Sequence, residues 1–209
     1  MTDRRLAELQ AVAGPVSRET FERLAAFEQN FVKWARRINL AAPSTLEAVW
    51  ERHILDSAQL LRLAPDAKRW LDLGTGGGFP GAVVAILLSA RPDASVDLIE
   101  SNAKKAAFLQ AALAGQGVVR IHRRRIEDCA GLVPAPEIVT ARALAPLPRL
   151  IELAEPWLSA GARGLFHKGR DYLLEIEESR AHWKFDLVEH TDRIDPKGII
   201  LEVANPRHR

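Results

Sequence analysis

Apolar residues recur at every third or fourth position between Ser17 and Leu40, which predicts an amphipathic helix. Ser17 is a suitable N-cap for this helix, and Asn39 and Pro43 end the pattern. A second helical pattern covers Leu46–Leu63. The first third of the chain is therefore predicted to be helical.

Beyond residue 65, short apolar runs alternate with helical stretches, as in βαβ units whose parallel sheet carries helices on both faces. The predicted strands are Arg69–Leu73, Ser95–Glu100, Val118–His122, Glu137–Arg142, Ala162–His167, Trp183–His190 and Gly198–Val203. The predicted helices between them include Pro80–Ala90, Asn102–Ala114 and Pro146–Leu158. We therefore predict an α/β fold with a doubly wound, mostly parallel sheet over residues 66–209. An N-terminal helical cap is expected over residues 1–65, and an antiparallel edge at the C-terminus.

The composition is that of an ordinary globular protein, with 47% apolar and 27% charged residues, which excludes collagen-like and disordered classes. The single cysteine, Cys129, excludes an internal disulfide and indicates a reducing compartment. The longest apolar run, Gly81 to Ala90, is too short to cross a bilayer, and no signal peptide is visible. We therefore expect a cytoplasmic monomer without a membrane partner.

The charge of the chain gives two opposing indications about its partner. The 29 basic and 27 acidic residues leave a net charge of +2, which argues against nucleic acid. The basic residues are 22 Arg and 7 Lys, however, and Arg is the side chain suited to bidentate phosphate contacts. The type of basic residue thus keeps nucleic acid as a candidate partner.

Five glycines lie within the eight residues that follow the first predicted strand, which read Gly74-Thr75-Gly76-Gly77-Gly78-Phe79-Pro80-Gly81. Glycines at such a place allow positive φ and let the backbone approach a ligand beside a helix N-terminus. A tight turn by itself needs only one or two glycines. This glycine loop is therefore a candidate ligand cradle.

Two cofactors are compatible with the glycine loop. Gly76, Gly78 and Gly81 have the dinucleotide spacing G-x-G-x-x-G, which keeps an NAD-dependent oxidoreductase as an alternative. Asp72 would place negative charge near a pyrophosphate, whereas the cationic sulfonium of S-adenosylmethionine tolerates that charge. The loop therefore favours S-adenosylmethionine. Glu100, at the end of the next strand, is expected to accept ribose hydroxyls or, alternatively, to lie beside the N-terminus of the following helix.

Four separated segments resemble one known family: Arg52-His53-Ile54-Leu55-Asp56-Ser57, the glycine loop, Ala141-Arg142-Ala143 and Lys168-Gly169. They are similar, in this order, to the bacterial small-subunit ribosomal RNA guanine-N7 methyltransferases, also called glucose-inhibited division protein B. The resemblance implies a class I, Rossmann-like, S-adenosylmethionine-dependent enzyme. It implies methylation of N7 of guanosine 527, in the 530 loop of 16S rRNA, with the rRNA or the small ribosomal subunit as partner. The loop and the resemblance together give the candidate cofactor residues Gly74, Gly76, Gly78, Phe79, Glu100, Ile126, Glu127 and Arg142.

Methyl transfer to N7 of guanine needs no catalytic base, because N7 already presents a lone pair in the major-groove edge. The rate is then expected to depend on holding the reacting groups close together, with water excluded. Arg142 is the candidate residue beside the target base. The alternative is a structural Arg142 paired with a carboxylate such as Glu127.

Basic residues at the predicted strand ends are candidates for contacts with RNA phosphates. The segment Arg120–Arg125 contains four Arg and one His, and its alternative role is a solvated turn. The RNA-binding candidates are Arg123, Arg124, Arg125, Lys168 and Arg170.

No metal is expected from the sequence. His53 and Asp56 lie three residues apart on a predicted helix, and two ligands alone do not make a metal site. Together with Arg52, they are expected instead to connect the helical cap to the sheet by hydrogen bonds or to shape the substrate entrance.

Overall fold

The computed structural model describes residues 2–40 and 43–209, without the side chains of residues 43–45. The strands are β1 (Arg69–Leu73), β2 (Ser95–Ile99), β3 (Val119–His122), β4 (Ile138–Arg142), β5 (Arg163–Lys168), β6 (Trp183–Thr191) and β7 (Ile199–His208). The α-helices are α1 (Thr2–Ala13), α2 (Arg18–Ala35), α3 (Asp56–Ala58), α4 (Leu60–Leu63), α5 (Gly81–Leu88), α6 (Ala103–Ala112), α7 (Leu147–Leu158) and α8 (Tyr172–His182). The remaining helical segments are two 3-10 helices, Pro43–Ala48 and Ile126–Cys129, and a π-helix, Trp50–Leu55.

The seven strands form one sheet in the order β3-β2-β1-β4-β5-β7-β6. Strands β1 to β5 are all parallel to one another. Strand β7 pairs antiparallel with both β5 and β6. Strands β2 and β3 lie on one side of β1, and β4 and all later strands lie on the other side, so the strand order reverses between β1 and β4. Ligands of open α/β sheets bind at the carboxyl ends of the strands beside such a reversal. The predicted fold class, with its antiparallel C-terminal edge, is confirmed.

Both faces of the sheet are covered, and β1 shows how the sequence achieves this. Trp70 belongs to the core that contains α2, α5 and α6, while Leu71 and Leu73 belong to the core that contains α7. Successive side chains of a strand point to opposite faces, so a strand buried on both sides is apolar almost throughout. The N-terminal helices share the first of these cores with the sheet, and the division at residue 65 stays a prediction.

The helical first third is confirmed in outline but is less regular than predicted. The Ser17 hydroxyl accepts a hydrogen bond from the Thr20 N–H at 3.1 Å, as expected of an N-cap. The helix α2 ends at Ala35 rather than near Leu40, and the predicted helix over Leu46–Leu63 consists of short 3-10, π and α segments. No helix within the described residues is long and apolar enough to span a membrane.

Candidate active site

The glycine loop joins β1 to α5 and needs glycine at specific positions. Gly74 and Gly76 have φ values of +60° and +58°, in the left-handed region that favours glycine. A Cβ atom at Gly74 would lie 2.6 Å from Leu144 Cδ1, whereas a Cβ at Gly76 would meet no side chain within 4 Å. The loop is thus closely packed at Gly74 and open above Gly76.

Glu100 lies behind this loop, and only 7% of its surface is exposed. Its Oε2 accepts the Gly76 N–H at 3.0 Å and its Oε1 accepts the Asn102 N–H at 2.7 Å. Each carboxylate oxygen has a further lone pair for a hydroxyl hydrogen. The two roles predicted for Glu100 are therefore compatible, since it already supports the start of α6 and can still accept from a ribose.

A cavity of about 330 Å³ brings together residues from the ends of β1, β2 and β4 and from the segment after β3. Four of the predicted cofactor residues line it, namely Gly74, Glu100, Ile126 and Glu127. Arg124 and Arg125 line the same cavity. A glycine backbone at the cavity wall and a buried carboxylate that can accept ribose hydroxyls suit an adenosyl ligand, so these residues fit S-adenosylmethionine.

Two other predicted cofactor residues of the loop face the protein core instead of this cavity. Gly78 is buried, and a Cβ there would lie 2.8 Å from Ala82 Cβ. Phe79 is 7% exposed and its ring centroid lies 4.9 Å from those of Phe31 and His53. Both residues hold the loop on the helical layer, so any contribution to cofactor binding is through the position of the backbone.

Asp72 also lies behind the glycine loop and does not line the cavity, contrary to the expectation that its charge faces the ligand. Its Oδ2 accepts the Gly81 N–H at 2.9 Å, and its Oδ1 accepts the Thr140 hydroxyl at 2.8 Å. Burial raises the pKa of Asp72 to about 6, although these hydrogen bonds and Arg142 favour the ionised form. Asp72 thus ties the end of β1 to the start of α5 and to β4.

Arg142, at the end of β4, is fixed by three acceptors. It donates to Asp56 Oδ2 at 2.8 Å, to the Arg52 carbonyl at 3.0 Å and to His53 Nδ1 at 2.8 Å. Its guanidinium carbon lies 5.3 Å from the centre of the Phe79 ring. The predicted role of His53 and Asp56 in connecting the helical segment to the sheet is confirmed.

The predicted pairing of Arg142 with a carboxylate is confirmed, but the partner is Asp56 and not Glu127. Glu127 pairs with Arg149 of α7 at 2.6 Å, and Asp56 takes its place beside Arg142. The three predicted cofactor residues Ile126, Glu127 and Arg142 are therefore not on one cavity, because Arg142 lines a second cavity, described below.

His53 is neutral at physiological pH. Burial, and then the positive charge of Arg142, lower the pKa of His53 to about 4. Because Arg142 only donates, the Nδ1 atom of His53 is the acceptor and Nε2 carries the hydrogen.

The predicted RNA-binding residues divide into two groups. Arg123, Arg124, Arg125 and Arg170 are exposed, and none forms an ion pair within the described residues. Lys168 instead donates to Glu175 at 2.5 Å and to the Ala145 carbonyl, with 8% of its side chain exposed. Its prediction as a phosphate contact is wrong, because the ammonium is used to connect β5 to α8.

Arg120 likewise does not belong with the exposed arginines. It forms two hydrogen bonds with Asp97, at 2.8 and 2.6 Å, and His122 lies 2.7 Å from the same carboxylate. Asp97 is on β2, adjacent to β3, so these contacts join the two strands. The exposed arginine cluster therefore begins at Arg123.

One group of described residues has metal-ligand chemistry: Asp56, His167 and Asp192 are buried with candidate ligand atoms within 4.8 Å of one another. The Gln59 amide, however, donates to Asp56 Oδ1 at 3.0 Å and to Asp192 Oδ1 at 2.9 Å. Asp56 Oδ2 is taken by Arg142. Because donors already occupy these oxygens, we assign no metal to the group.

A family model described as rRNA small subunit methyltransferase G, named GidB, matches residues 20–195. The chain belongs to the GidB family. The "Ribosomal RNA small subunit methyltransferase G" of Chelativorans sp. (strain BNC1) is 64% identical over 99% of both chains. The protein of the same name from Brucella canis (strain ATCC 23365 / NCTC 10854 / RM-666) is 54% identical over 99% of this chain and 98% of its own.

Solved structures share the fold of this GidB-family chain at low identity. Aeropyrum pernix fibrillarin with natively bound S-adenosyl-L-methionine aligns with a TM-score of 0.56 at 18% identity, over 74% of this chain and 75% of that one. Cofactor-bound Rv0187 from MTB aligns with a TM-score of 0.59 at 16% identity, over 94% of each chain. The chain is an S-adenosylmethionine-dependent rRNA methyltransferase, which excludes the NAD-dependent alternative.

Several residues around the GidB-family site were not singled out from the sequence. Gln59, His167 and Asp192 form a buried polar group with Asp56, although they come from three distant segments. The only signal that pointed toward this group was the spacing of His53 and Asp56 on one helical segment. Its other members have no local motif.

Proposed function

We propose that this GidB-family enzyme methylates N7 of guanosine 527 in the 530 loop of 16S rRNA, by direct in-line displacement without a general base. The observation that carries the proposal is the cavity at the carboxyl edge of the sheet. In that cavity Gly74 and Glu100, which suit an adenosyl ligand, lie together with Arg124 and Arg125, which suit phosphates. One cavity wall therefore combines cofactor chemistry with RNA chemistry.

S-adenosylmethionine, when bound, supplies an electrophilic methyl group. Glu100 would accept ribose hydroxyls, Gly74 lines the cavity, and Gly76 would leave room for the ligand above the loop. Ile126 and Glu127 would form the opposite wall. These residues bind and orient, and none is required to remove a proton, since N7 of guanine is unprotonated.

The exposed arginines would hold the RNA backbone around the cavity. Arg123, Arg124 and Arg125 follow β3, and Arg170 follows β5, so they lie at the same edge of the sheet. Phosphate contacts position the substrate but carry no sequence information. We also propose that the enzyme acts in the cytoplasm as a monomer, with residues 1–65 as a cap on the methyltransferase part, residues 66–209.

The decisive experiment maps N7-methylguanosine in 16S rRNA at single-nucleotide resolution, in cells with and without this protein. We expect one methylated position, in the 530 loop, to be lost without the protein. Purified protein with S-adenosylmethionine should restore it on small subunits or 16S rRNA from the deficient cells. The proposal would be refuted if the lost N7-methylguanosine lay outside the 530 loop. It would also be refuted if purified protein that binds the cofactor did not restore the methyl group.

A further inference from the structure

A second cavity, of about 700 Å³, lies at the carboxyl ends of β4 and β5. It contacts the cavity of Gly74 and Glu100 at Ala143, which lines both. Ala143 has a φ of +52°, a conformation that alanine rarely adopts and that is found preferentially at functional sites. A small and strained residue therefore forms the wall between the two cavities.

One buried acceptor of this second cavity has no partner. His167 lines the cavity with 8% of its surface exposed, and its Nε2 lies 3.2 Å from the backbone carbonyl of Asp56. The carbonyl only accepts, so in the neutral ring Nε2 carries the hydrogen and Nδ1 is an acceptor. Nδ1 is buried without a hydrogen-bond partner among the described residues. A buried unpaired acceptor is costly, and a ligand with an N–H group would remove that cost.

A second free acceptor of the cavity is Asp195, in the connection between β6 and β7. Its Oδ1 accepts the Lys197 N–H at 2.9 Å, and Oδ2 has no partner among the described residues. Asp192 also lines the cavity, but it is buried and its Oδ1 already accepts from Gln59, Ile194 and Asp195. The groups available to a ligand on this side of the cavity are thus acceptors: the buried Nδ1 of His167 and the solvent-exposed carboxylate of Asp195.

Arg142 lines the opposite side of the cavity and provides donors. Three of the five guanidinium N–H groups bind Arg52, His53 and Asp56, which leaves two for a ligand. From β4 to the β6–β7 connection, the cavity therefore presents Ala143 in the wall shared with the first cavity, donors at Arg142 and acceptors at His167 and Asp195.

Guanine carries complementary groups in the same order. Starting from N7, its edge presents the O6 acceptor, then the N1–H donor and the N2 amino donors. Adenine lacks both the O6 acceptor and the N1–H donor, and a pyrimidine has no N7. We propose that the second cavity receives the target guanine, turned out of the RNA, with O6 toward Arg142 and its N1–H and N2 groups toward His167 and Asp195. N7 then faces Ala143 and the cofactor cavity.

This assignment rests on the proposed function and makes Ala143 the point of transfer between cavities. Ala143→Gly and Ala143→Asn test it, because Gly and Asn both tolerate positive φ while only Asn adds bulk to the wall. The substrate is small subunits from cells lacking the enzyme. We expect Ala143→Asn to lower kcat by about thirtyfold or more and Ala143→Gly to lower it at least about tenfold less than Ala143→Asn does, because only Asn adds bulk where the two cavities meet.

The affinity of the same variants for S-adenosylhomocysteine distinguishes an effect on cofactor binding from an effect on methyl transfer. We expect it to change by no more than about threefold in both, measured by calorimetry, because the substitution blocks transfer rather than cofactor binding. Full activity of Ala143→Asn, or a loss of cofactor affinity equal to its loss of activity, would overturn the assignment.

Asp195 is tested through the group of the base that it is proposed to contact. Reconstituted small subunits carry either guanosine or inosine, which lacks the N2 amino group, at the target position. We expect inosine to lower kcat/KM about tenfold for wild type and no more than about twofold for Asp195→Ala, because the variant has already lost the acceptor. Asp66→Ala is the matched control, since Asp66 is exposed at the opposite end of β1, and it should respond like wild type.

An equal inosine effect in wild type and Asp195→Ala would overturn the guanine assignment and leave the proposed function intact. A wild type that transfers no methyl to guanosine-containing subunits would overturn both.

Discussion

Arg142 shows how single side chains at this site depend on one another. A guanidinium that loses much of its contact with water needs acceptors, and Asp56, His53 and the Arg52 carbonyl supply them. His53 can serve as an acceptor only while its ring is neutral, and both burial and Arg142 itself lower the pKa of His53 to keep it so. Arg142 therefore helps to keep His53 in the neutral form that accepts its hydrogen bond.

The two shifted pKa values of the site predict opposite effects of pH on stability. Asp72 has a raised pKa of about 6, so its contribution is present at low pH and is lost as the pH rises from about 4 through 6. His53 has a lowered pKa of about 4, so its contribution is present above its ordinary value of 6.5 and is lost as the pH falls toward 4. Between pH 4 and 6 the two changes oppose each other.

His53→Asn keeps an acceptor for Arg142 but removes the titration of the ring. The quantity compared is the free energy of unfolding of wild type minus that of the variant. We expect this difference to increase by about 2 kcal/mol between pH 4 and pH 7. Urea denaturation at a series of pH values measures this difference. His182→Asn, at an exposed position, is the control and should show no such trend, and an equally flat difference for His53→Asn would contradict the neutral, buried ring.

At the scale of elements, the connection from β1 to α5 combines two different uses of glycine. Asp72 accepts the Gly81 N–H at the start of α5, and a Cβ at Gly81 would lie 2.7 Å from Asp72 Oδ2. Gly78 is packed on α5 and α6, whereas Gly76 is open on its outer side. The inner glycines let the strand and helix approach each other, and the outer ones leave space for a ligand.

This difference predicts distinct results for alanine at the two positions. Gly78→Ala places a Cβ 2.8 Å from Ala82 at a φ of +95°, and we expect it to lower the free energy of unfolding by roughly 2–4 kcal/mol. Gly76→Ala, with φ +58° and no nearby side chain, should cost about 1 kcal/mol and weaken S-adenosylmethionine binding about tenfold.

Denaturant titrations and calorimetric binding separate the two outcomes. If Gly76→Ala is the more destabilising substitution, or leaves the affinity for the cofactor unchanged, then the loop does not have an inner and an outer face as described.

At the scale of the whole molecule, the net charge of +2 conceals an uneven distribution. Several arginines of the N-terminal helices are paired with carboxylates, such as Arg5 with Glu28 and Arg23 with Glu19. The exposed arginines Arg123–Arg125 have no such partners among the described residues, and Arg124 and Arg125 line the cofactor cavity. Free positive charge is therefore available where RNA is proposed to bind, while the total remains low enough to limit binding to bulk RNA.

Salt dependence distinguishes the free cations from the paired ones. We expect Arg124→Ala to weaken binding to small subunits and to reduce the slope of log affinity against log salt by about 1. Lys168→Ala should leave that slope unchanged but lower the free energy of unfolding by roughly 1–3 kcal/mol, since it removes the partner of Glu175.

Filter binding at several salt concentrations measures the slope, with Arg18→Ala as a control on the N-terminal helices. A change of slope for Lys168→Ala equal to that for Arg124→Ala would show that Lys168 contacts RNA after all.

The sequence by itself determined the order of the strands and of the helices between them, the glycine loop and the position of Glu100. These features depend on local properties: the period of apolar residues, the conformational freedom of glycine and the place of a residue at the end of a strand. Strand β1 was predicted with its observed bounds, Arg69–Leu73, because Trp70, Leu71 and Leu73 make it mostly apolar, as expected of a strand buried on both faces.

The tertiary structure alone decided which charged groups are partners. Asp56 and Arg142 are 86 residues apart, and Lys168 was assigned to RNA because nothing near it in sequence indicated Glu175. The second cavity likewise combines β4, β5 and the connection that contains Asp195. A polar side chain forms hydrogen bonds with whichever group the packing of distant elements brings within reach. The local sequence pattern therefore does not predict which group that is.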